Sequence, residues 1–233
     1  MESKFVIFPI GDNAVTIDLG NRINESLNRK VLGMQQWLSE RALEGVKDLI
    51  VAYSSLTIFY DPVLIKKKHF ISSTVFQFMK SKLEEAWANA SPSEEKPGEQ
   101  LVRIPVCYNN EFGIDLDFVS EMKRLSKDEI IQLHVSKIYR VYMIGFLPGF
   151  SYLGEVDEKL VMSRKQTPVP VPAGSVGIAG SQTGIYPLNC PGGWQILGRT
   201  PLQLFNPSRA IPVTLKPGDY VQFYPISQEE FIP

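Results

Sequence analysis

At 233 residues, with 44% apolar and 21% charged side chains, the chain holds enough material for two globular domains. A formal net charge of −1 leaves no basic footprint for nucleic acid or for an anionic membrane surface, which excludes both classes of partner. Glu2 follows the initial Met with no sustained apolar run behind it, and no stretch approaches the roughly 20 apolar residues of a membrane-spanning helix, so the expectation is a cytoplasmic protein.

In chain order, Phe5 to Ile10 and Ala14 to Leu19 alternate as strands around a Gly11-Asp12-Asn13 turn. Ile23, Leu27, Val31, Met34 and Leu38 then recur at three- and four-residue steps, which predicts a helix with Asn24 as its N-cap, fading near Gly45. Val46 to Tyr53 and Leu56 to Tyr60 read as two further strands. A second helix is predicted from about Lys66 to Ala90, carrying Phe70, Val75, Phe78, Met79, Leu83 and Trp87. Two strands, a helix, two strands and a helix make an α+β N-terminal domain over residues 1–90, with its helices on one face of an antiparallel sheet. Residues 91–100 are polar, charged and broken by prolines, and read as a linker.

The second domain, 101–233, begins with a strand at Leu101 to Val106. Leu116 to Leu125 has helical spacing with Asp115 in the capping position, and Ser126 with Glu129 forms a capping box for a short helix from Asp128 to about His134. After the strand Ile138 to Ile144 the chain turns to short β segments among Gly and Pro: Ser175 to Ala179, Trp194 to Leu197, Leu202 to Leu204, Val213 to Leu215 and Tyr220 to Tyr224. Many short strands with tight turns predict a mainly β barrel or sandwich, and closing the sheet would remove its edges.

The stretch from Gly145 to Arg199 is the predicted functional face. Its Gly and Pro content forbids a long helix, while Phe146, Phe150, Tyr152, Tyr186 and Trp194 are spaced among residues that contribute no packing. These aromatics read either as core or as the lining of a shallow apolar cleft walled by backbone amides, where Ser175, Gln182 and Thr183 would orient a ligand or bond their own turns. Arg164 and Arg199 could grip a carboxylate or phosphate through a bidentate fork, or serve structural ion pairs. His134 is either a cap at a helix C-terminus or a general base at the margin of the face. No Walker A loop, GxGxxG or GxSxG sequence is present. Cys107 and Cys190 lack metal-ligand spacing, which predicts free thiols and no metal site.

Six blocks carry a resemblance: GDNAV, IPVCY with GIDL, LHVSKIYRVYMIGFLPGFSYLG, VPAGSVGIAGSQTGIYP, PGGWQILGRTPLQLF and KPGDYVQF. In this order they resemble the family that contains the B subunit of 5-oxoprolinase and the kinase inhibitor KipI, also labelled allophanate hydrolase subunit 1, over nearly the whole chain. The resemblance implies an α+β domain followed by a cyclophilin-like barrel, with the likeness to cyclophilins one of fold and not of prolyl isomerase activity. It also implies subunits A and C as partners in an ATP-dependent opening of 5-oxoproline to L-glutamate. A KipI-like role would instead make a sensor histidine kinase the partner, and the third label implies allophanate hydrolysis. One departure from the family pattern is local: where Thr-Pro-Arg often precedes the VPAGS block, this chain has Thr167-Pro168-Val169, leaving Arg164 or Lys165 to supply any equivalent cation.

Overall fold

The computed structural model describes residues 5–93 and 101–232. The chain divides into two compact units, Met1–Glu94 and Glu95–Pro233. Of the stretch read as a linker, 94–100 lie outside the described residues, and Ser93 donates its amide to Arg29 O at 2.9 Å within the first unit.

The first unit is a four-stranded antiparallel sheet in the order β1-β2-β4-β3, built from β1 (Val6–Ile10), β2 (Ala14–Asp18), β3 (Val46–Val51) and β4 (Ser55–Tyr60). Register fixes the buried face: Ile7 stands opposite Ile17, Ile17 opposite Leu56, and Val15 opposite Ile58. Helix α1 (Glu25–Glu40) is capped by Asn24, whose side chain accepts from Leu27 N, and lays Val31, Met34 and Leu38 on that face.

The predicted helix from Lys66 to Ala90 is two helices, α2 (Pro62–His69) and α3 (Val75–Asn89). Three local features break it. Phe70 closes α2 in the left-handed conformation at φ 48°, Thr74 and Gln77 form a reciprocal capping box that starts α3, and Asp61 with Pro62 starts α2 earlier than the apolar spacing indicates. Ile65, Met79, Leu83 and Ala86 complete the core of this unit.

The second unit is a closed barrel in the order β10-β7-β6-β13-β5-β12-β9. Its strands are β5 (Leu101–Cys107), β6 (Ile138–Ile144), β7 (Ser151–Gly154), β9 (Ser175–Ala179), β10 (Gln182–Ile185), β12 (Gln195–Arg199) and β13 (Tyr220–Ile226). Two more, β8 (Val169–Val171) and β11 (Cys190–Gly192), pair only with each other, as an antiparallel ribbon outside the barrel. Helices α4 (Leu116–Lys123) and α5 (Lys127–Val135) lie between β5 and β6 in the chain, and α5 opens with the expected Ser126–Glu129 capping box. Asp115 does not cap α4 with its side chain. The strands expected at Leu202 to Leu204 and Val213 to Leu215 are absent: that segment turns through a single antiparallel bridge, Phe205 to Val213.

The chain is therefore an α+β unit followed by a mainly β barrel unit. Ile104, Val106, Tyr139, Val141, Leu153, Val176, Ile178, Leu197, Val221 and Phe223 fill the barrel core. The barrel closes because β5 and β13 run parallel from Leu101–Tyr220 to Cys107–Ile226, leaving neither strand as a free edge. Among the described residues no helix is long and apolar enough to cross a membrane.

Candidate functional site

A second apolar cluster lies apart from the barrel core and beneath the β8–β11 ribbon: Phe150, Val171, Tyr186 and Ile196 are its buried members. Phe150, at the entry to β7, is the hub. Its ring centroid is 4.7 Å from Tyr152, 5.0 Å from Tyr186 and 5.5 Å from Trp194, the last two edge to face at 83° and 82°. Two glycines make this density attainable. A Cβ on Gly184 would meet Ser151 O at 2.8 Å and the Trp194 ring at 2.9 Å, and one on Gly192 would come within 2.6 Å of Tyr186 Oη.

The open side of the cluster is a cleft of about 320 Å³, walled by Phe146, Phe150, Tyr152, Tyr186 and Trp194 with the chain at 164–166, Pro168 and Pro191 to Gly193. Phe146 stands at its mouth, 63% exposed and at φ 69°, with its ring edge-on to Phe150 at 5.6 Å. Burial pushes the Tyr186 phenol up to about 12, against the opposing pull of amide donors at Trp194 and Gly193, so it stays protonated; the Trp194 N–H reaches Tyr186 Oη at 3.4 Å. Burial likewise raises Tyr152 and the Cys190 thiol, and a raised thiol is a poor nucleophile.

Arg164 is the exposed cation of this cleft, and no hydrogen bond or ion pair holds its guanidinium among the described residues. Its neighbour is different. The Lys165 ammonium bonds the Asp115 carboxylate and the Trp194 carbonyl.

Of the residues singled out from sequence, Phe146, Phe150, Tyr152, Arg164, Tyr186 and Trp194 come together at the cleft. The others lie elsewhere. Ser175 is buried in β9, where its carbonyl accepts the Tyr186 amide at 2.9 Å. Gln182 opens β10 opposite Gly154 and Ala179. Arg199 spends its Nε–H on Ala173 O at 2.7 Å and lies over the Phe231 ring.

The structure also corrects the general-base reading of His134. It is fully buried, stacked on Phe223 at 4.6 Å, with Nδ1 2.8 Å from Tyr108 Oη and Nε2 2.9 Å from Thr183 Oγ1. Thr183 gives its only hydroxyl proton to Gly177 O at 3.1 Å, so it must accept from Nε2–H, which leaves Nδ1 to accept from Tyr108. This network holds one tautomer and uses both nitrogens. Burial depresses the imidazole to about 3, so the ring is neutral and carries no proton in or out of the cleft.

Sequence reasoning passed over Gln166 and the part played by Asp115. The run Ser163-Arg164-Lys165-Gln166 ahead of a proline-rich ribbon was the signal for the first; Asp115 gave none beyond its capping position. Among the described residues no three His, Cys, Asp or Glu side chains converge as a metal site would require.

The family model of the carboxyltransferase domain, subdomain C and D, matches residues 5–215, which span most of both units. The chain belongs to that family, and its similarity to three 5-oxoprolinase B subunits, at 36–42% identity, places it in their family too. It is 42% identical to the B subunit of 5-oxoprolinase from Bacillus subtilis over 99% of this chain and 97% of the relative, and 38% identical to that of Haemophilus influenzae over 93% and 96%. Among solved structures it is similar to TTHA0988, at 33% identity and a TM-score of 0.79, covering 94% of this chain; the chain spans 41% of that protein.

Proposed function

We propose that the chain is the B subunit of an ATP-dependent 5-oxoprolinase and works with subunits A and C to open 5-oxoproline to L-glutamate. The near full-length likeness to proteins named as this subunit supports the assignment. The observation that carries the site is the pairing of an unengaged Arg164 guanidinium with an aromatic cleft. A five-membered lactam offers a carboxylate for a bidentate guanidinium and an apolar ring edge for Phe150 and Trp194. The Tyr186 phenol, kept protonated, is a hydrogen-bond donor within reach of the cleft.

The cleft binds and orients but does not complete the chemistry. The Cys190 thiol, packed against the apolar cluster and not lining the cleft, is raised, the His134 imidazole is sealed in the barrel, and the described residues build no Gly-rich strand-to-helix cradle for a triphosphate. ATP, which activates the amide oxygen as a leaving group, is therefore assigned to the assembly, and no step through it is ascribed to these residues.

Combining the purified chain with its subunits A and C and following 5-oxoproline-dependent ATP hydrolysis tests the reading. Turnover above that of the mixture without this chain is expected, with KM for 5-oxoproline raised on the order of tenfold in Arg164→Ala. Equal turnover with and without the chain would refute the assignment.

A further inference from the structure

In the segment 163–166, Arg164, Lys165 and Gln166 form the wall shared by the aromatic cleft and a second cleft of about 620 Å³, which Ser163 also lines with Phe118, Met122 and Met162. The segment has no strand partner over these four residues, so few bonds hold it. The Lys165 amide donates to Gly193 O at 2.6 Å, and Gln195 Nε2 donates to Ser163 O at 3.2 Å. The remaining ties pass through the Lys165 ammonium, to the Trp194 carbonyl at 3.3 Å and to Asp115 Oδ2.

Asp115 is unusual in this setting. It occupies the N-cap position of α4, where a carboxylate ordinarily bonds the first helical amides, yet it makes no such bond. Its Oδ2 instead accepts the Ile196 amide at 2.7 Å together with the Lys165 ammonium. One oxygen thus ties the segment that bears Arg164 to the start of β12, two residues after Trp194. The two side chains are only 15% and 18% exposed, so removing either charge strands the other in a site with little water.

We propose that Asp115 and Lys165 are a positioning pair for the aromatic cleft, fixing the 163–166 segment so that the Arg164 guanidinium and the Trp194 ring face a carboxylate-bearing ligand together. The proposal rests on reading this cleft as the ligand site. Neither side chain touches reacting atoms; both act through Arg164 and Trp194. Without the pair, Arg164 stays charged but is no longer held toward the cleft, which weakens ground-state binding more than the chemical step.

The test uses the chain assembled with its subunits A and C. Asp115→Asn keeps an oxygen for the Ile196 amide while removing the charge, and Lys165→Met keeps the stem while removing the ammonium. Each is expected to raise KM for 5-oxoproline about tenfold while kcat stays within about threefold, and Lys165→Arg is expected to restore most of the loss. The double variant is expected to be no worse than the worse single one, because both lose the same contact; two unrelated packing defects would add. As a readout independent of turnover, trypsin is expected to cut after Arg164 several-fold faster, on the order of the KM effect, in Asp115→Asn than in the unaltered chain. A raised KM in Arg164→Ala with unchanged KM and unchanged cleavage in Asp115→Asn would overturn the pairing alone. An unchanged KM in Arg164→Ala would overturn the cleft reading and this proposal with it.

Discussion

Mild acid is expected to weaken the barrel through His134. The folded imidazole is held down at about 3 by burial, whereas the exposed group titrates near its ordinary 6.5. Above 6.5 both states carry a neutral ring and the difference vanishes. As pH falls below 6.5, the unfolded chain takes up a proton that the folded chain refuses, so the stability contribution of the neutral ring is complete above 6.5 and is lost as pH drops toward 3. The slope in this window approaches about 1.4 kcal/mol per pH unit, which gives a loss of about 2 kcal/mol between roughly pH 7 and pH 5. Glu129 and Glu229, held below the usual carboxylate range by hydrogen bonds to Ser126 and Ser227 respectively, change charge at lower pH and leave this window clear.

Urea unfolding followed by Trp194 fluorescence, with Trp37 and Trp87 replaced by Phe, reads the second unit alone because Trp194 is its one tryptophan. His134→Gln supplies an amide N–H for Thr183 and a carbonyl for Tyr108 without a titrating group, and should be flat over the same range. A wild-type slope near zero, or the same slope in His134→Gln, would refute the assignment of the acid sensitivity to this ring.

Gly192→Ala places a methyl 2.6 Å from Tyr186 Oη and should destabilise the second unit by about 1–3 kcal/mol, read as a lowered urea midpoint; an unchanged midpoint would mean that the ribbon yields freely. Phe146→Gly removes a side chain from a left-handed conformation, a gain of about 1–2 kcal/mol, and forfeits an edge contact with Phe150 of about 0.5–1.5 kcal/mol. Its midpoint should therefore barely move while the KM for 5-oxoproline rises, and a large loss of stability would contradict the exposed placement of the ring. Ser126→Ala deletes one half of the capping box of α5 and should cost about 1 kcal/mol, with faster hydrogen exchange in the first turn of that helix.

The parts of the fold legible in the sequence are those set by neighbours in the chain. Asn24, Ser126 with Glu129, and the period of Val31, Met34 and Leu38 lie within a few residues of what they control, and the helices follow them. The break between α2 and α3 was hidden by an apolar period that continues across Phe70, although Thr74 and Gln77 carried the capping signal. Strands β7, β8, β10 and β11 are three or four residues long and hold Gly or Pro, so they show no alternation and are strands only because of what pairs beside them.

The site divides in the same way. An aromatic-rich run among glycines revealed the cleft, because Gly184 and Gly192 are needed for rings to pack at that spacing. What His134 does was not readable, since its partners Tyr108 and Thr183 are 26 and 49 residues away. Asp115 and Lys165, 50 residues apart, are invisible as a pair for the same reason.

The parallel seam between β5 and β13 has a consequence for biosynthesis. The strand that opens the barrel unit is sealed by the strand translated last among its seven, so while the ribosome is still adding residues 138–219, β5 lacks its longest ladder. The first unit needs nothing beyond its own segment and can fold as it emerges, but the barrel must wait for Tyr220 to Ile226 to leave the exit tunnel. Until then the Ile104 and Val106 side chains and the open edge of β5 are offered to any passing strand, which makes this the interval in which a holdase chaperone is of most use to the nascent chain.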